Sequence, residues 1–133
     1  MQGTLENGNP MLAIINADLL QRDRKASHPW VVVVEIPYNG KGTNGMPNTN
    51  EYELLNVIED DIMSQLKDVD GYLNIGRQTA YSMREIYLSC KDFRTPSKVL
   101  RTAQLKYNQK LKIDFSIYKD KYWKTFERFS VSL

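Results

Sequence analysis

The chain has 133 residues, with 18 basic against 16 acidic side chains, a size and charge balance that suit one globular domain. Apolar types make up 41% and charged types 26%, which excludes a disordered, collagen-like or disulfide-scaffold chain. With Cys90 the single cysteine and His28 the single histidine, an internal disulfide and any site that needs two such residues are excluded. No apolar run approaches the roughly 18 residues that cross a bilayer, and no secretion signal opens the chain, so we expect a cytoplasmic protein without membrane contact.

The charges are distributed unevenly along the chain. Residues 35–70 contain eight acidic residues and two lysines, whereas residues 91–112 contain seven basic residues and one aspartate. Such blocks can form separate faces for two partners, or complementary faces of two neighbouring helices. We expect the second arrangement, because exposed charge alone is weak support for a binding function.

Residues 1–17 have the pattern of a β-hairpin. Asn7-Gly8 separates a short strand that ends near Glu6 from the largely apolar run Pro10 to Ile15, and Asn-Gly readily adopts the positive φ angles of a tight turn. Since very little chain precedes Glu6, the domain is expected to begin earlier than this chain does. A polar loop is predicted at Gln21 to Ser27.

The segment from Trp30 to Ile36 predicts a strand in the middle of a sheet. It contains four consecutive valines and no polar alternation before Glu35, as expected for a strand covered on both faces. The following loop, from Pro37 to Asn50, contains three glycines and two prolines. Because loops of that length in compact domains are often functional, it is a candidate lid.

The remainder of the chain predicts two helices and three strands. A helix capped by Thr49 or Asn50 is predicted to run to about Lys67, and a second begins at Thr95-Pro96. Their apolar stripes are formed by Tyr52, Leu55, Ile58, Ile62 and Leu66 in the first helix and by Val99, Leu100, Ala103 and Tyr107 in the second. The strands are predicted at Tyr72 to Thr79, at Met83 to Cys90, and across the alternating pattern from Leu111 to Tyr118.

The order of elements from residue 30 to residue 118 predicts an α+β fold. Strand, helix, strand, strand, helix, strand is the ferredoxin-like βαββαβ sandwich, an antiparallel sheet with two helices on one face. Trp123, Phe126 and Phe129 recur every three residues and predict a short helix within residues 119–133. The N-terminal hairpin and this helix are expected to cover the other face of the sheet.

Alternation along the strands assigns side chains to that other face. The predicted set is Val31, Val33, Glu35, Asn74, Gln78, Glu85, Tyr87, Lys112, Asp114 and Tyr118. Glu35, Glu85 and Asp114 would lie on three neighbouring strands, where close carboxylates could form an acid/base or cation site. The alternative is an ordinary polar face in which Lys112, Arg77 or Arg84 neutralises them, and no motif of defined spacing favours catalysis.

Several functions lack their sequence signals. The strand from Met83 to Cys90 has one aromatic residue and lacks the basic-Gly-aromatic pattern of RNA-binding sheets, which argues against a nucleic-acid partner. Gly40-Lys41-Gly42 lacks the Gly-Lys-Ser/Thr ending of a phosphate loop. His28 is expected in a loop and Cys90 as a small buried apolar residue. We therefore predict no catalytic residue, no metal and no cofactor.

Three short motifs carry a resemblance to a known family. They are Gly76-Arg77-x-Thr79, Arg84-Glu85-x-Tyr87, and Asp120-x-x-Trp123 with Phe126 and Phe129, together with an opening Gly8-x-Pro10 and Asn16. The chain resembles, over nearly its whole length, the bacterial family called domain of unknown function 695. In some relatives this domain is joined to one similar to the regulator of ribonuclease E activity B, an inhibitory protein-binding module with a ferredoxin-like fold, so the resemblance implies a binding role by association. It brings no catalytic residues.

Five residues within these motifs form the predicted binding surface, namely Arg77, Thr79, Arg84, Glu85 and Tyr87. The structural alternative is a hairpin held by ion pairs of Arg77 or Arg84 with Glu85 or Glu35.

The predicted function is a non-catalytic module that binds or regulates another protein. The alternative is a small enzyme or ligand-binding domain that uses Glu35, Glu85 and Asp114 beneath the loop Tyr38 to Asn50. A homodimer through the sheet edge or the open face is compatible with the predicted fold.

Overall fold

The computed structural model describes residues 2–4, 10–16, 27–40, 43–120 and 122–126. Their six strands are β1 Gln2–Thr4, β2 Pro10–Ile15, β3 Trp30–Pro37, β4 Tyr72–Ala80, β5 Met83–Cys90 and β6 Asp114–Lys119. The helices are α1 Thr49–Gln65 and α2 Arg94–Tyr107, and single 3-10 turns lie at Asp68–Asp70 and Lys124–Phe126. The strands form one antiparallel sheet in the order β1-β2-β4-β5-β3-β6, so the predicted α+β class is confirmed.

Strand β3 lies inside the sheet, as its run of valines predicts. It pairs with β5 on one side and with β6 on the other, both antiparallel. Val31, Val32 and Val34 are completely buried because side chains on both faces of β3 contact other layers of the protein.

Helix α1 begins with a capping box one residue before the predicted cap. The side chain of Asn48 accepts a hydrogen bond from the backbone N–H of Glu51 at 2.8 Å, and the Glu51 carboxylate accepts one from the N–H of Asn48 at 3.1 Å. Leu55, Ile58 and Ile62 of the predicted stripe are buried against the sheet.

Helix α2 begins close to its predicted start, but its cap differs. The Asp92 carboxylate, and not Thr95, supplies the first side-chain acceptor, taking a hydrogen bond from the N–H of Thr95 at 3.2 Å. Helix α2 lies beside α1, and Asp61 accepts hydrogen bonds from Lys106 Nζ and from the Tyr107 hydroxyl, both at 2.8 Å. At this contact the acidic and basic segments face each other across the two helices, as predicted.

Strand β6 begins later than its alternating sequence pattern. Its pairing with β3 starts where Glu35 faces Asp114, so Leu111 and Ile113 precede the strand although both contact the core. Within the strand, Phe115 and Ile117 pack on the helix side.

The chain after β6 crosses the face of the sheet opposite the helices. Trp123 and Phe126 are 2% and 1% exposed and pack with Val31, Leu73, Ile75 and Tyr87. The described part of this segment is a single 3-10 turn and not the predicted helix, and Phe129 lies outside the described residues. The Asp120 carboxylate explains the turn, because it accepts hydrogen bonds from the N–H groups of Lys124 and Thr125.

The predicted N-terminal hairpin is present as two antiparallel strands, but it extends the edge of the sheet beside β4 and does not cover the other face as expected, because β2 pairs with β4. Thr4 faces Pro10 across β1 and β2, while the turn at Asn7-Gly8 lies outside the described residues, as does the loop predicted from Gln21 apart from Ser27. Within the described ranges, neither helix is long and apolar enough to span a bilayer.

The loop predicted as a lid is anchored to the turn between β4 and β5. Tyr38 donates its N–H to Ser82 O at 2.9 Å and its hydroxyl to Gly45 O at 2.6 Å, and the Ser82 N–H also bonds Gly45 O. Gly45 has a φ of 83°, which favours glycine, and a Cβ on Gly40 would collide with the Ser82 hydroxyl. The role of a lid stays a prediction; residues 41 and 42 lie outside the described part of the loop.

A candidate binding cleft beside strand β4

A β-bulge in β4 determines which polar side chains reach the helices. Asn74 faces Leu88 and Gly76 faces Tyr87, so Ile75 is an extra residue on the β4 side. The bulge reverses the alternation, and Asn74 therefore points toward α1 and not toward the opposite face as predicted. A simple period of two cannot reveal such an insertion.

Strand β2 lies close against β4 at the bulge. A Cβ on Gly76 would lie 2.5 Å from the carbonyl oxygen of Ile14 and 2.8 Å from Cδ1 of Ile15, so a side chain there would force the strands apart. Just beyond β2, the N–H of Asn16 donates to Ile75 O at 2.8 Å. Gly76 thus allows β2 to approach β4 closely and to form one wall of a cleft beside α1.

Helix α1 contributes a carboxylate that binds two arginines. Glu59 Oε1 lies 3.3 Å from Arg77 Nη1 and 3.6 Å from Arg84 Nη1, and Glu59 Oε2 accepts a hydrogen bond from Asn74 Nδ2 at 3.0 Å. Glu59 is 8% exposed and Arg84 is completely buried. We call these four residues the Glu59 network. Its arginines pair with Glu59, which corrects the predicted pairing with Glu85 or Glu35.

Arg84 is bound on several sides. Its Nε donates to Thr79 Oγ1 at 2.6 Å and its Nη1 to Asn56 Oδ1 at 3.3 Å, and its guanidinium lies 5.5 Å from the centre of the Tyr52 ring. No hydrogen-bond acceptor among the described residues reaches its buried Nη2. Burial, followed by repulsion from Arg77, lowers the pKa of Arg84, while Glu59 opposes that shift.

Tyr38 lies near this charge. Burial raises the pKa of Tyr38 to about 12, against the opposing field of Arg84. The phenol therefore stays protonated at neutral pH and acts as the donor to Gly45.

The network opens into a cleft between β2, β4 and α1. This cleft has a volume of about 600 Å³ and is lined by Ile14, Ile15, Asn16, Glu59, Asn74, Gly76 and Arg77. We call it the Arg77 cleft, because the Arg77 side chain keeps 22% of its surface exposed there. A neighbouring cleft of about 460 Å³ shares Asn16, Glu59 and Asn74 and is also lined by Asp60, Met63, Leu66, Lys67, Asp68 and Tyr72.

The five predicted binding residues share one hairpin but are divided between the two faces of the sheet. Arg77, Thr79 and Arg84 are on the helix side, whereas the Tyr87 hydroxyl donates to Glu85 Oε2 at 2.7 Å on the opposite face. Thr79 and Arg84 are completely buried. Of the five, Arg77 alone lines the cleft.

The predicted adjacency of three carboxylates is present in the register of the sheet. Glu35 faces Glu85 across one pair of strands and Asp114 across the other. Asp114 lies 3.6 Å from Lys112 Nζ in an exposed ion pair. Within the described part of the chain, no three His, Cys, Asp or Glu side chains are placed to hold a metal ion.

His28 and Cys90 have structural positions. The carbonyl oxygen of His28 accepts hydrogen bonds from Trp123 Nε1 at 2.7 Å and from Ser89 Oγ at 2.6 Å, which fixes the start of β3. Burial raises the pKa of Cys90 to about 12, so its thiol is protonated at neutral pH. The prediction of a small buried apolar residue is confirmed for Cys90.

Sequence reasoning missed Glu59, Asn56 and Asn74. A signal for the first two was available: Asn56 and Glu59 follow Tyr52 of the apolar stripe at spacings of four and three residues. Polar residues at that spacing indicate a second stripe that faces other parts of the protein. Asn74 had no such signal, because its orientation depends on the bulge.

Comparisons with known proteins agree with the resemblance seen in the sequence. Residues 4–130 match the model of a family of unknown function, DUF695. The search of curated proteins and the search of solved structures each found no match.

Proposed function

The chain belongs to the DUF695 family, and from that premise we propose that it is a non-catalytic module that binds another protein through the Arg77 cleft. The observation that carries this proposal is a partly exposed arginine held in place beside apolar surface. Arg77 is anchored by Glu59, and Ile14 in the same cleft is 43% exposed. Arginine is enriched, together with tryptophan and tyrosine, among the residues that dominate protein interfaces.

The chemistry of the cleft supports binding better than catalysis. Among the described residues, the side chains that line it include no serine, cysteine, histidine or lysine. The one carboxylate in the part of the lining that the structure describes, Glu59, already faces Arg77, Arg84 and Asn74, so its lone pairs are bound by donors and it is poorly suited to remove a proton. Asn16 and Asn74 add neutral hydrogen-bonding groups of the kind that orient a partner.

The proposal includes a ferredoxin-like core. The strands from residue 30 onward lie in the order β4-β5-β3-β6, in which the first and third strands of that core are inside the sheet. The strands β1 and β2 then add to the edge at β4, and this addition creates the Arg77 cleft.

Glu35, Glu85 and Asp114 support the alternative function, a small enzyme or ligand-binding domain, because they are adjacent in register. Two of them have partners already, since Glu85 accepts from Tyr87 and Asp114 pairs with Lys112. This alternative has less support than the cleft.

The binding proposal can be tested by selecting peptides from a display library of random 12-residue sequences on the immobilised protein. Asn16 is exposed and lines both clefts, so Asn16→Trp fills the site with little effect on the core. Asn50→Trp makes the same change at an exposed position in the first turn of α1.

We expect enriched peptides to bind the wild type and Asn50→Trp alike and to bind Asn16→Trp at least tenfold more weakly. Their binding should be unchanged by the triple variant Glu35→Gln, Glu85→Gln, Asp114→Asn. If no peptide is enriched, or if the peptides bind Asn16→Trp as tightly as the wild type, the proposal is wrong. Loss of binding only in the triple variant would instead favour the carboxylate face.

A further inference from the structure

We infer that the Arg77 cleft binds a single carboxylate from a peptide segment of the partner, with an apolar residue next to it in the peptide. This inference rests on the proposed function and specifies the chemistry of the partner. It is carried by the charge balance of the Glu59 network and by the exposed Ile14 in the same cleft.

The charge at the base of the cleft is unbalanced. Arg77 and Arg84 supply two positive charges, and Glu59 supplies the only negative charge in contact with them among the described residues. Arg84 is fully buried, so water cannot screen its charge as it would at the surface. One additional negative charge beside Arg77 would balance the group. A phosphate dianion would exceed that balance and would place its second charge near Glu59.

Arg77 has the donors that such a carboxylate needs. The guanidinium group carries five N–H donors in a planar fork, and its bond to Glu59 uses Nη1. Because the Arg77 side chain is partly exposed on the cleft side, the rest of the fork can bind a second carboxylate. Glu59 also restricts the guanidinium before the partner arrives, which reduces the entropy lost on binding.

The apolar wall of the cleft favours an apolar neighbour for the bound acid. Ile14 and Ile15 line the same cleft as Arg77, and Ile14 exposes 43% of its surface. Burying that surface under a leucine or a similar side chain would add favourable apolar contact.

The neighbouring cleft adds little positive charge to the site. Among the described residues that line it, Lys67 is the one basic side chain, and the exposed Asp60 lines it as well. The site therefore differs from a general basic patch, which would bind any acidic segment.

The test uses peptides blocked at both ends, so that one side chain carries their only charge. The pentapeptide acetyl-Ala-Leu-Glu-Leu-Ala-amide is compared with its Gln and phosphoserine analogues, and N-acetyl-leucine serves as a free monocarboxylate. Binding is followed by ¹H–¹⁵N NMR at the Arg77 Nε–H and at the side-chain amides of Asn16 and Asn74. We expect the Glu peptide to bind at least tenfold more tightly than each of the other three probes.

Arg77→Gln should remove this tenfold preference. The variant is expected to fold, because Glu59 keeps its contacts with Arg84 and Asn74. Arg101→Gln makes the same change of charge at an exposed position of α2 and should leave the preference intact.

Equal binding of the Glu and Gln peptides would overturn the inference. It would not affect the proposed binding function, which the display selection tests. If the phosphoserine peptide binds more tightly than the Glu peptide, the site does not prefer a single negative charge. If N-acetyl-leucine binds as tightly as the Glu peptide, the site does not require that the carboxylate come from a peptide. Either result overturns the inference. Failure of all four probes to shift the Arg77 signal would also overturn the inference. The proposed function is rejected separately, by the failure of the display selection.

Discussion

The two faces of the β4–β5 hairpin bury very different kinds of side chain. On the helix side, Arg84 is completely buried among polar groups and one of its nitrogens finds no acceptor within the described ranges. On the other side, Tyr87 is 2% exposed, its ring lies 6.4 Å from that of Phe126 in an edge-to-face arrangement, and its hydroxyl bonds Glu85. The helix side has an apolar core, to which Ile86 and Leu88 belong, and adds a buried charged network to it, whereas the opposite side is held by aromatic packing.

This difference distinguishes residues that stabilise the hairpin from residues that are suited to binding a partner. Aromatic packing and one closed hydrogen bond account for the face that carries Tyr87. A buried arginine is costly to desolvate, and apolar residues of the same volume often stabilise a protein as well or better. The Glu59 network therefore has the composition expected where specificity matters, with Arg77 as its exposed end.

Among the tests of this comparison, the substitution Glu59→Gln should cause the largest loss of stability. It leaves Arg84 buried without its counter-charge, and breaking such a pair costs about 3–5 kcal/mol. We therefore expect a loss of that size in the free energy of unfolding, measured by urea denaturation. The control Glu53→Gln changes the same type of residue at an exposed position of α1 and should stay within about 0.5 kcal/mol of the wild type.

A double variant distinguishes charge from packing within the network. Glu59→Gln combined with Arg84→Met removes both buried charges, so it should be more stable than Glu59→Gln alone. If the single variant costs less than about 1 kcal/mol, or if the double variant is the less stable of the two, the helix face is held by packing and the contrast with the other face is lost.

Removal of one hydroxyl group from each face should have an intermediate effect on the free energy of unfolding. Thr79→Val removes the acceptor of the Arg84 Nε–H at a fully buried position, which should cost about 1–3 kcal/mol. Tyr87→Phe removes the donor to Glu85, whose carboxylate is partly exposed and can bind water instead, so its cost should stay near or below about 1 kcal/mol. Equal losses in urea denaturation would contradict the assignment of the buried charge to the helix side.

Much of the fold could be predicted because local patterns determine it. The valine run predicted an interior β3, and the stripe with Leu55, Ile58 and Ile62 predicted the buried face of α1. The segment containing Trp123 was predicted on the correct face but with the wrong element. Three aromatic residues at a spacing of three fit a helix, whereas the Asp120 carboxylate favours a 3-10 turn by binding the N–H groups that follow it.

The candidate site could be predicted only in part. Arg77 was identified from the hairpin motif, but its counter-ion, Glu59, lies 18 residues earlier on a helix. Which carboxylate meets an arginine depends on how α1 packs against β4, and on a bulge that a period of two does not show. Long-range pairing of charges is therefore the information that the sequence pattern lacked.

The smallest expected effect concerns an ion pair at the edge of the helix side, where charge is exposed. Hydrogen bonds from Lys106 and then Tyr107 lower the pKa of Asp61. The carboxylate is stabilised in the folded state, so its contribution is present above the unfolded-state pKa near 4 and is lost as the pH falls through the lowered folded-state pKa.

Because Lys106 is 58% exposed, Asp61→Asn should cost less than about 1 kcal/mol at pH 7. The difference from the wild type should shrink below pH 4 and in 1 M NaCl, as measured by thermal unfolding, with Asp60→Asn as the exposed control. A difference that stays constant from pH 2 to pH 7 would mean that Asp61 acts through packing. In that case the contrast between screened and buried charge on the helix side, on which the role of Glu59 depends, would need revision.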